Sequence, residues 1–205
     1  MTRARPASQP LLFDSGHSLP NGLVYRPDFI TPAEEALLVS FIEAMPLTHA
    51  TDGTGAYIAK RRIVHFGWGL DPDGKGYGTK EPLPPVLLPF AFRIAKWLSI
   101  PKGRVVEALV NEYSPGTPLG WHRDNERCEH IIGISLAGWA RMRFRPVQPK
   151  GGRGARRDPK DVIALELEPR SAYIMQGSIR YDYQHSVAAV RALRYSITFR
   201  TLPGA

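Results

Sequence analysis

Apolar residues follow a helical spacing in the first half of the chain and form short strand-like runs in the second half. Thr31, Pro32 and Glu34 mark a helix start, because threonine caps the first turn, proline suits the first helical position and glutamate completes a capping box. The helix ends at Pro46, and its apolar side chains at helical spacing are Leu37, Leu38, Phe41, Ile42 and Met45. A second helix is predicted over much of 87–98.

From residue 104 onward the sequence changes to β-prone runs between turn signals. The predicted strands are 105–113, 131–136, 140–145, 162–167, 172–175 and 195–199. Several short strands after two helices predict an α+β fold with an antiparallel jelly-roll (double-stranded β-helix) core, supported on one side by N-terminal helices. Residues 50–85 are rich in glycine, proline and aromatic residues, and they predict long loops with short strands.

The length of 205 residues indicates one domain. Within it we expect a flexible arm at 1–15, a supporting segment at 16–103 and the jelly-roll core at 104–205. No uninterrupted apolar stretch is long enough to span a bilayer, and the basic N-terminus lacks the apolar segment of a secretory signal. A single cysteine, Cys128, excludes an internal disulfide and suits the cytoplasm. Nothing in the sequence requires more than a monomer.

The chain carries 27 basic and 19 acidic residues, a formal net charge of +8. This excess favours polyanionic partners, with nucleic acid first, although a generally basic protein would show the same charge. The run PKGGRGARRDPK at 149–160 adds to the case for nucleic acid. The same run is also typical of a solvated hairpin connection.

The candidate chemistry begins with His122 and Asp124, an HxD pair. Residues two apart in a strand point to the same face, so both side chains can face one metal. His185 is the best third ligand, and two histidines with one carboxylate suit an Fe(II) site with open positions for O2 and a co-substrate. A lone HxD also occurs by chance, and three ligands with a water would suit a zinc hydrolase. His130 opens an apolar strand, which indicates a structural role.

The last predicted strand carries one polar and one apolar face. Tyr195, Ile197 and Phe199 share the apolar face, which should pack in the core; Arg194, Ser196, Thr198 and Arg200 share the face that would line the barrel. An arginine inside a barrel requires an anion, and Arg194 is placed to hold the far carboxylate of an oxo-acid by a two-point contact. A structural pair with an aspartate is the alternative.

Asn111 and Tyr113 share one face of an earlier strand and supply hydrogen-bond donors for the carboxylates of a co-substrate. With the metal residues and Arg194, they predict an oxygenase dependent on iron and 2-oxoglutarate.

Taken together, the motifs N-x-Y-x-P-G, H-x-D, a distant H and R-x5-R resemble those of the AlkB family of oxidative nucleic-acid dealkylases. The residues that carry the resemblance are Asn111, Tyr113, Pro115, Gly116, His122, Asp124, His185, Arg194 and Arg200. It covers 105–200 closely and 55–100 more loosely, through RRIVHFGWGLDPDG. This N-terminal part is more similar to family branches that act on RNA or have varied substrates.

The resemblance implies a role for each matched residue. It implies that His122, Asp124 and His185 ligate Fe(II), that Asn111, Tyr113 and Arg194 bind 2-oxoglutarate, and that Arg200 lies beside the metal carboxylate and the co-substrate. It also implies that the N-terminal segment forms a nucleotide-recognition lid. The residues expected near the substrate are Arg62, Phe66 and Trp68 in the lid, and Glu126 after the HxD pair.

The implied reaction uses O2 to remove alkyl groups from bases such as 1-methyladenine or 3-methylcytosine, in repair of alkylated DNA or on RNA, with release of formaldehyde, succinate and CO2. The base must be flipped or single-stranded to reach a metal inside a barrel. Candidate stacking residues are Tyr57, Trp68, Tyr77 and Trp121, and candidate phosphate contacts are Arg61, Arg62 and the 150–160 loop.

Two alternatives stay open at this point. The same chemistry could act on tRNA, protein side chains or a small molecule. The chain could also be a metal-free nucleic-acid-binding module on a decayed oxygenase fold, although an intact set of ligands argues against decay.

Overall fold

The computed structural model describes residues 19–51, 58–70, 77–79, 81–147 and 161–203. The arm predicted at 1–15 and the whole of the basic loop at 149–160 lie outside these ranges. Within them, no helix is long and apolar enough to cross a membrane.

Both predicted helices are confirmed. Helix α1 spans Pro32–Glu43 and begins with the expected capping box: the Thr31 hydroxyl accepts from the Glu34 amide at 3.2 Å, and the Glu34 carboxylate accepts from the Thr31 amide at 2.8 Å. Helix α2 spans Leu88–Leu98 after a 3-10 turn, and its C-cap residue Ser99 has a left-handed backbone. A short helix, α3, spans Gly177–Tyr181.

Twelve strands are present in the described chain. They are β1 (Leu23–Arg26), β2 (Thr48–Thr51), β3 (Ile58–Leu70), β4 (Tyr77–Thr79), β5 (Val105–Tyr113), β6 (Leu119–His122), β7 (Ile131–Leu136), β8 (Ala140–Pro146), β9 (Ile163–Leu167), β10 (Ala172–Met175), β11 (Tyr183–Val187) and β12 (Arg194–Thr201). The large sheet has the order β1-β10-β7-β12-β5-β3-β2, with β4 paired to β3, and the small sheet has the order β6-β11-β8-β9. The predicted α+β architecture with a jelly-roll core is confirmed.

Two hydrophobic clusters hold the layers together. The first lies between the large sheet and the helices, and it contains Ile42, Ile94, Ile197 and Phe199, all fully buried. The second lies between the two sheets; its members include Ile131, Met142, Phe144 and Leu165. Each fully buried side chain of this size contributes about 1.5–3 kcal/mol through loss of contact with water. The two faces predicted for the last strand are confirmed, because Ile197 and Phe199 pack under the helices.

The loops expected at 50–85 are the main correction to the predicted fold. Strand β3 is 13 residues long and pairs with β5 inside the large sheet. Its inner face carries Arg61 and His65, so the alternation of polar and apolar residues that marks a strand is weak in the sequence. The large sheet extends across the expected division at residue 104, since β1, β2 and β3 join the same sheet as the C-terminal strands. Strand β11 was also missed, and the strand expected at the HxD pair ends at His122.

Glu34 links the two helices, because its carboxylate also accepts hydrogen bonds from Arg93 of α2. The Arg93 guanidinium, and then the Thr31 amide, lower the pKa of Glu34 to about 2 against the opposing effect of burial. A carboxylate whose pKa is depressed on folding stabilises the protein above its unfolded pKa and loses this effect as pH falls through the folded pKa.

We therefore expect Glu34→Gln to lower the free energy of unfolding by about 1 kcal/mol at pH 7, allowing for solvent screening of a partly exposed pair. The difference from wild type should shrink steadily between pH 4 and pH 2, where the wild-type carboxylate takes up its proton. Urea unfolding at several pH values measures this difference in the free energy of unfolding. A difference that does not change with pH would contradict the role of the charge.

Candidate active site

Three candidate metal ligands meet where strands β6 and β11 pair. His122 is the last residue of β6, His185 lies opposite it in β11, and Asp124 follows two residues after the strand ends. One ligand atom from each of the three lies within 4.8 Å of the other two. The sequence predicted that His122 and Asp124 share a strand face; the strand instead ends at His122, and the following loop turns Asp124 toward His185.

The protonation of these groups suits a metal. Burial lowers the pKa of His185 to about 4, so its imidazole is neutral at neutral pH. Burial by itself would raise the pKa of Asp124, but the positive charge of Arg200 beside it holds that pKa well below its usual range. The Nδ1 of His122 lies 2.9 Å from the Gly120 carbonyl, which can only accept, so Nε2 is the nitrogen left for a ligand bond. An ionised carboxylate and neutral imidazoles are the forms that bind a divalent ion.

Arg200 connects the metal residues to the large sheet. Its Nη2 donates to Asp124 Oδ1 at 2.7 Å, and its Nη1 donates to Glu107. Glu107 also lies 2.5 Å from His65 Nε2 of β3. Against the effect of burial, the carboxylates of Asp124 and Glu107 raise the pKa of Arg200. Sequence reasoning missed Glu107 and His65, although Glu107 shares the inner face of β5 with Asn111 and could have been found by that alternation.

Arg194 provides a buried positive charge in the same pocket. Only 2 % of its surface is exposed, its Nε donates to Ser135 Oγ at 3.2 Å, and its guanidinium lies 5.1 Å from the centroid of the Tyr113 ring. Burial lowers the pKa of Arg194. Its Nη1 is buried without a hydrogen-bond partner among the described residues. A buried guanidinium with an unsatisfied donor suits an anion such as a carboxylate.

The pocket between the sheets is lined by both sets of residues. Its polar lining consists of Arg61, Asn111, Tyr113, His122, Asp124, Tyr173, His185, Arg194, Ser196, Thr198 and Arg200. Arg61 was predicted to contact phosphates, but it points inward and its Nη1 donates to Asn111 Oδ1 at 3.1 Å. The structure thus brings the predicted metal and co-substrate residues into one pocket and adds Arg61 and Tyr173 to them.

The predicted substrate residues do not lie together in the structure. Phe66 is 5 % exposed and packs in the first hydrophobic cluster, so the prediction that it contacts a base is wrong. Arg62 is also on the side away from the pocket, where it makes two hydrogen bonds to Glu112 at 2.8 and 2.7 Å. Trp68 packs against the second cluster on the inner side. Phe66 and Trp68 are two residues apart and would normally share a strand face. They lie on opposite faces here, because Gly67 between them has a φ of +80° that interrupts the regular strand.

Glu126 lies in the loop that follows Asp124, with 74 % of its side chain exposed and an ion pair to Arg123 at 3.0 Å. Trp121 does not face the pocket as a stacking residue would. Its ring lies on the opposite side of the small sheet, under the guanidinium groups of Arg143 and Arg145. Tyr57 and the side chain of Tyr77 fall outside what the structure describes.

Comparison with known proteins places this geometry in a family. Residues 22–200 match the model of the 2OG-Fe(II) oxygenase superfamily. The chain is 29% identical over 192 residues to the Arabidopsis thaliana protein named "Alkylated DNA repair protein ALKBH8 homolog", covering 86% of this chain and 53% of that protein. It is 26% identical over 203 residues to "Alpha-ketoglutarate-dependent dioxygenase AlkB" of Salmonella typhimurium, covering 87% and 89%. The chain thus spans about half the length of the Arabidopsis relative.

Among solved structures, that of OsALKBH1 has the same fold, with a TM-score of 0.65 at 17% identity over 90% of this chain and 100% of the other. The superfamily of this matching model comprises oxidoreductases that use Fe(II), 2-oxoglutarate and O2, and the His-Asp-His cluster fits Fe(II) better than the zinc alternative. The chain belongs to the 2OG-Fe(II) oxygenase superfamily, and relatives named for AlkB and ALKBH8 are similar to it over most of its length.

Gly133 of β7 makes room for one wall of the pocket. A Cβ at this position would lie 2.3 and 2.4 Å from two ring atoms of Tyr173 and 2.6 Å from its hydroxyl oxygen, and this side chain is buried. We expect Gly133→Ala to displace this ring, to lower the free energy of unfolding by about 1–3 kcal/mol, and to weaken 2-oxoglutarate binding. Thermal unfolding and calorimetric titration of the Mn(II)-loaded protein measure the two effects.

The matched control is Gly103→Ala, because a Cβ there meets nothing within 4 Å. Unchanged stability and affinity in Gly133→Ala would show that the Tyr173 ring has space to move.

Proposed function

We propose that this protein removes N-linked alkyl groups from bases of DNA or RNA by oxidation with O2 and 2-oxoglutarate. The observation that carries the proposal is one pocket that contains both the His122–Asp124–His185 cluster and the buried guanidinium of Arg194, whose Nη1 has no hydrogen-bond partner among the described residues. Bound Fe(II) with O2 and 2-oxoglutarate supplies the oxidising power, which no side chain provides. The protein contributes binding, orientation and shielding.

In this proposal the three ligands hold Fe(II), and Arg200 fixes the position of Asp124 through their 2.7 Å hydrogen bond. Arg194 holds the far carboxylate of 2-oxoglutarate by a charge-assisted contact. Asn111 and Tyr113 complete the co-substrate site, with Asn111 oriented by Arg61. The pocket lies between two packed sheets, so a bound co-substrate is largely removed from water.

In the proposed overall reaction, one atom of O2 is incorporated into succinate as CO2 leaves 2-oxoglutarate. The other atom becomes bound to the alkyl carbon as a hydroxyl group. For a methyl group, the resulting hydroxymethyl carbon leaves as formaldehyde, and the base nitrogen keeps the bonding electron pair and takes a proton. A paired base cannot enter a pocket between two sheets, so we infer a flipped or single-stranded substrate.

Two findings support nucleic acid as the substrate class. The net charge of +8 favours a polyanion. The Arabidopsis relative is named for repair of alkylated DNA, and it carries the same domain over most of this chain. We further propose that Trp68, packed on the inner side, and Glu126, exposed beside the metal loop, are the residues nearest to the entering base.

The direct test uses protein loaded with Fe(II) under anaerobic conditions, then mixed with O2, 2-oxoglutarate and single-stranded DNA or RNA that carries 1-methyladenine or 3-methylcytosine. We expect succinate and formaldehyde in equal amounts, and neither product with His122→Ala. Succinate without formaldehyde on every oligonucleotide, tRNA included, would refute the substrate class and point to a protein or small-molecule substrate.

The role of Arg194 gives a second test. Arg194→Gln should raise the KM for 2-oxoglutarate roughly 10- to 100-fold, because a charge-assisted hydrogen bond contributes about 1.5–3 kcal/mol and each 1.4 kcal/mol corresponds to tenfold. The KM of Arg194→Lys should lie between those of the wild type and Arg194→Gln, since lysine keeps the charge but loses the two-point contact. Arg62→Gln, on the opposite face of the sheet, is the control. An equal KM in all four proteins would place the co-substrate elsewhere.

A further inference from the structure

The small sheet carries a basic surface on the side that faces away from the pocket. Along β8, Ala140, Met142 and Phe144 are buried, whereas Arg141, Arg143 and Arg145 alternate with them and point outward. The indole of Trp121, from β6, lies beneath two of these groups. Its ring centroid is 4.2 Å from the Arg145 guanidinium carbon and 5.1 Å from that of Arg143. We call the outward side of β6, β8, β9 and β11 the arginine face.

Two neutral side chains of the neighbouring strand help to orient these guanidinium groups. Arg145 donates through Nε and Nη2 to Gln184 Oε1 at 2.9 and 2.7 Å, and Arg143 donates to Ser186 Oγ at 3.1 Å. Both partners are on the neighbouring strand β11. An amide or a hydroxyl orients an arginine without neutralising its charge.

The arginine face therefore has an excess of positive charge. Among the outward residues of its described strands, Glu166 is the acidic one, and it pairs with Arg141. Successive outward side chains of a strand are about 7 Å apart, so the three arginines of β8 form a row of evenly spaced positive charges. The phosphates of a nucleic-acid strand could contact such a row.

An open groove continues the surface beyond Arg141. It is formed by the turn after β7 and by the segment between β11 and β12, and its walls include Trp139, Arg141, Ala188, Ala189 and Arg191. Trp139 is 58% exposed, and small alanines surround it. Exposed indole and arginine side chains on one surface are the features that stack unpaired bases and contact phosphates.

We propose that the arginine face and the Trp139 groove bind the single-stranded nucleic acid that flanks the reacting base. The inference rests on the proposed function for the class of substrate. Strand β6 connects the arginine face to the pocket. It is the edge strand of the small sheet, and it carries Trp121 on the outward side and the pocket residue His122 at its end. A strand that leaves the arginine face at Trp121 crosses this edge to reach the pocket.

The test compares short and long substrates. For a methylated oligonucleotide of 20 nucleotides, we expect Arg143→Gln/Arg145→Gln to raise KM at least tenfold with little change in kcat. A methylated oligonucleotide of three nucleotides is too short to occupy the pocket and the arginine face together. For this substrate the KM of the variant should match that of the wild type. The double substitution should also reduce the slope of log affinity against log salt by about 1.4, at roughly 0.7 per phosphate contact of a single strand.

Three further variants make the result specific. Lys96→Gln/Lys102→Gln removes the same charge from the helical side of the molecule and should leave KM unchanged. Arg143→Lys/Arg145→Lys should restore most of the salt dependence. Trp139→Ala should raise the KM of the long substrate alone. Thermal unfolding and 2-oxoglutarate turnover without substrate verify that each variant is folded.

The outcomes separate the two proposals. Equal effects on short and long substrates, or an equal loss in the lysine control, would overturn the inference and leave the dealkylase intact. If wild-type protein dealkylates no oligonucleotide, the proposed function fails; anisotropy with unmodified DNA and RNA strands then shows whether the arginine face still binds them. Displacement of these strands by polyglutamate at similar concentration would show a non-specific anion surface, which also overturns the inference.

Discussion

The buried ion pair between Arg200 and Asp124 is the interaction on which the site depends. Arg200 is the last inward-facing residue of β12, and its guanidinium binds Asp124 on one side and Glu107 on the other. Removal of one partner from a buried ion pair typically costs about 3–5 kcal/mol, because the remaining charge stays buried without it. Because Asp124 is in a loop after β6, this contact also determines where the carboxylate points. The large sheet thus positions a ligand that the small sheet presents.

Strand β12 shows how one segment can serve stability and chemistry together. Its outward residues, including Ile197 and Phe199, are buried beneath the helices, and its inward residues, including Arg194 and Arg200, line the pocket. The helical layer stabilises a sheet whose other face is too polar to form a core. The pocket can therefore hold charged groups without loss of the fold, and those charges are available to a metal and an oxo-acid.

The sequence allowed good prediction wherever the signal was local. The capping box of α1, the bounds of β5 and β7, and the two faces of β12 follow from alternation and capping within a few residues. The expected metal and co-substrate residues of the pocket were indicated by the resemblance of the motifs, whereas Arg61 and Tyr173 were not. Strand β3 was not predicted, because its inward face carries Arg61 and His65. The sequence therefore lacks the usual alternation of polar and apolar residues.

The errors near the pocket have a common cause in long-range packing. Gly67 lies so close to β5 that a Cβ would be 2.0 Å from the Val106 carbonyl oxygen, and the strand changes direction there. Trp68 consequently faces inward while Phe66 joins the core, a difference that no local pattern reveals. Trp121 precedes a metal ligand in sequence yet faces the other side of the sheet.

The central claim is that one pocket binds Fe(II) through His122, Asp124 and His185 and 2-oxoglutarate beside it. An anaerobic titration of the Fe(II)-loaded protein with 2-oxoglutarate, followed by visible absorption, tests this most directly, because a keto acid chelated to Fe(II) produces a charge-transfer band. The account predicts a band that saturates at a single equivalent in the wild type and is missing in Asp124→Ala. A band of equal strength in that variant, or none in the wild type, would contradict it.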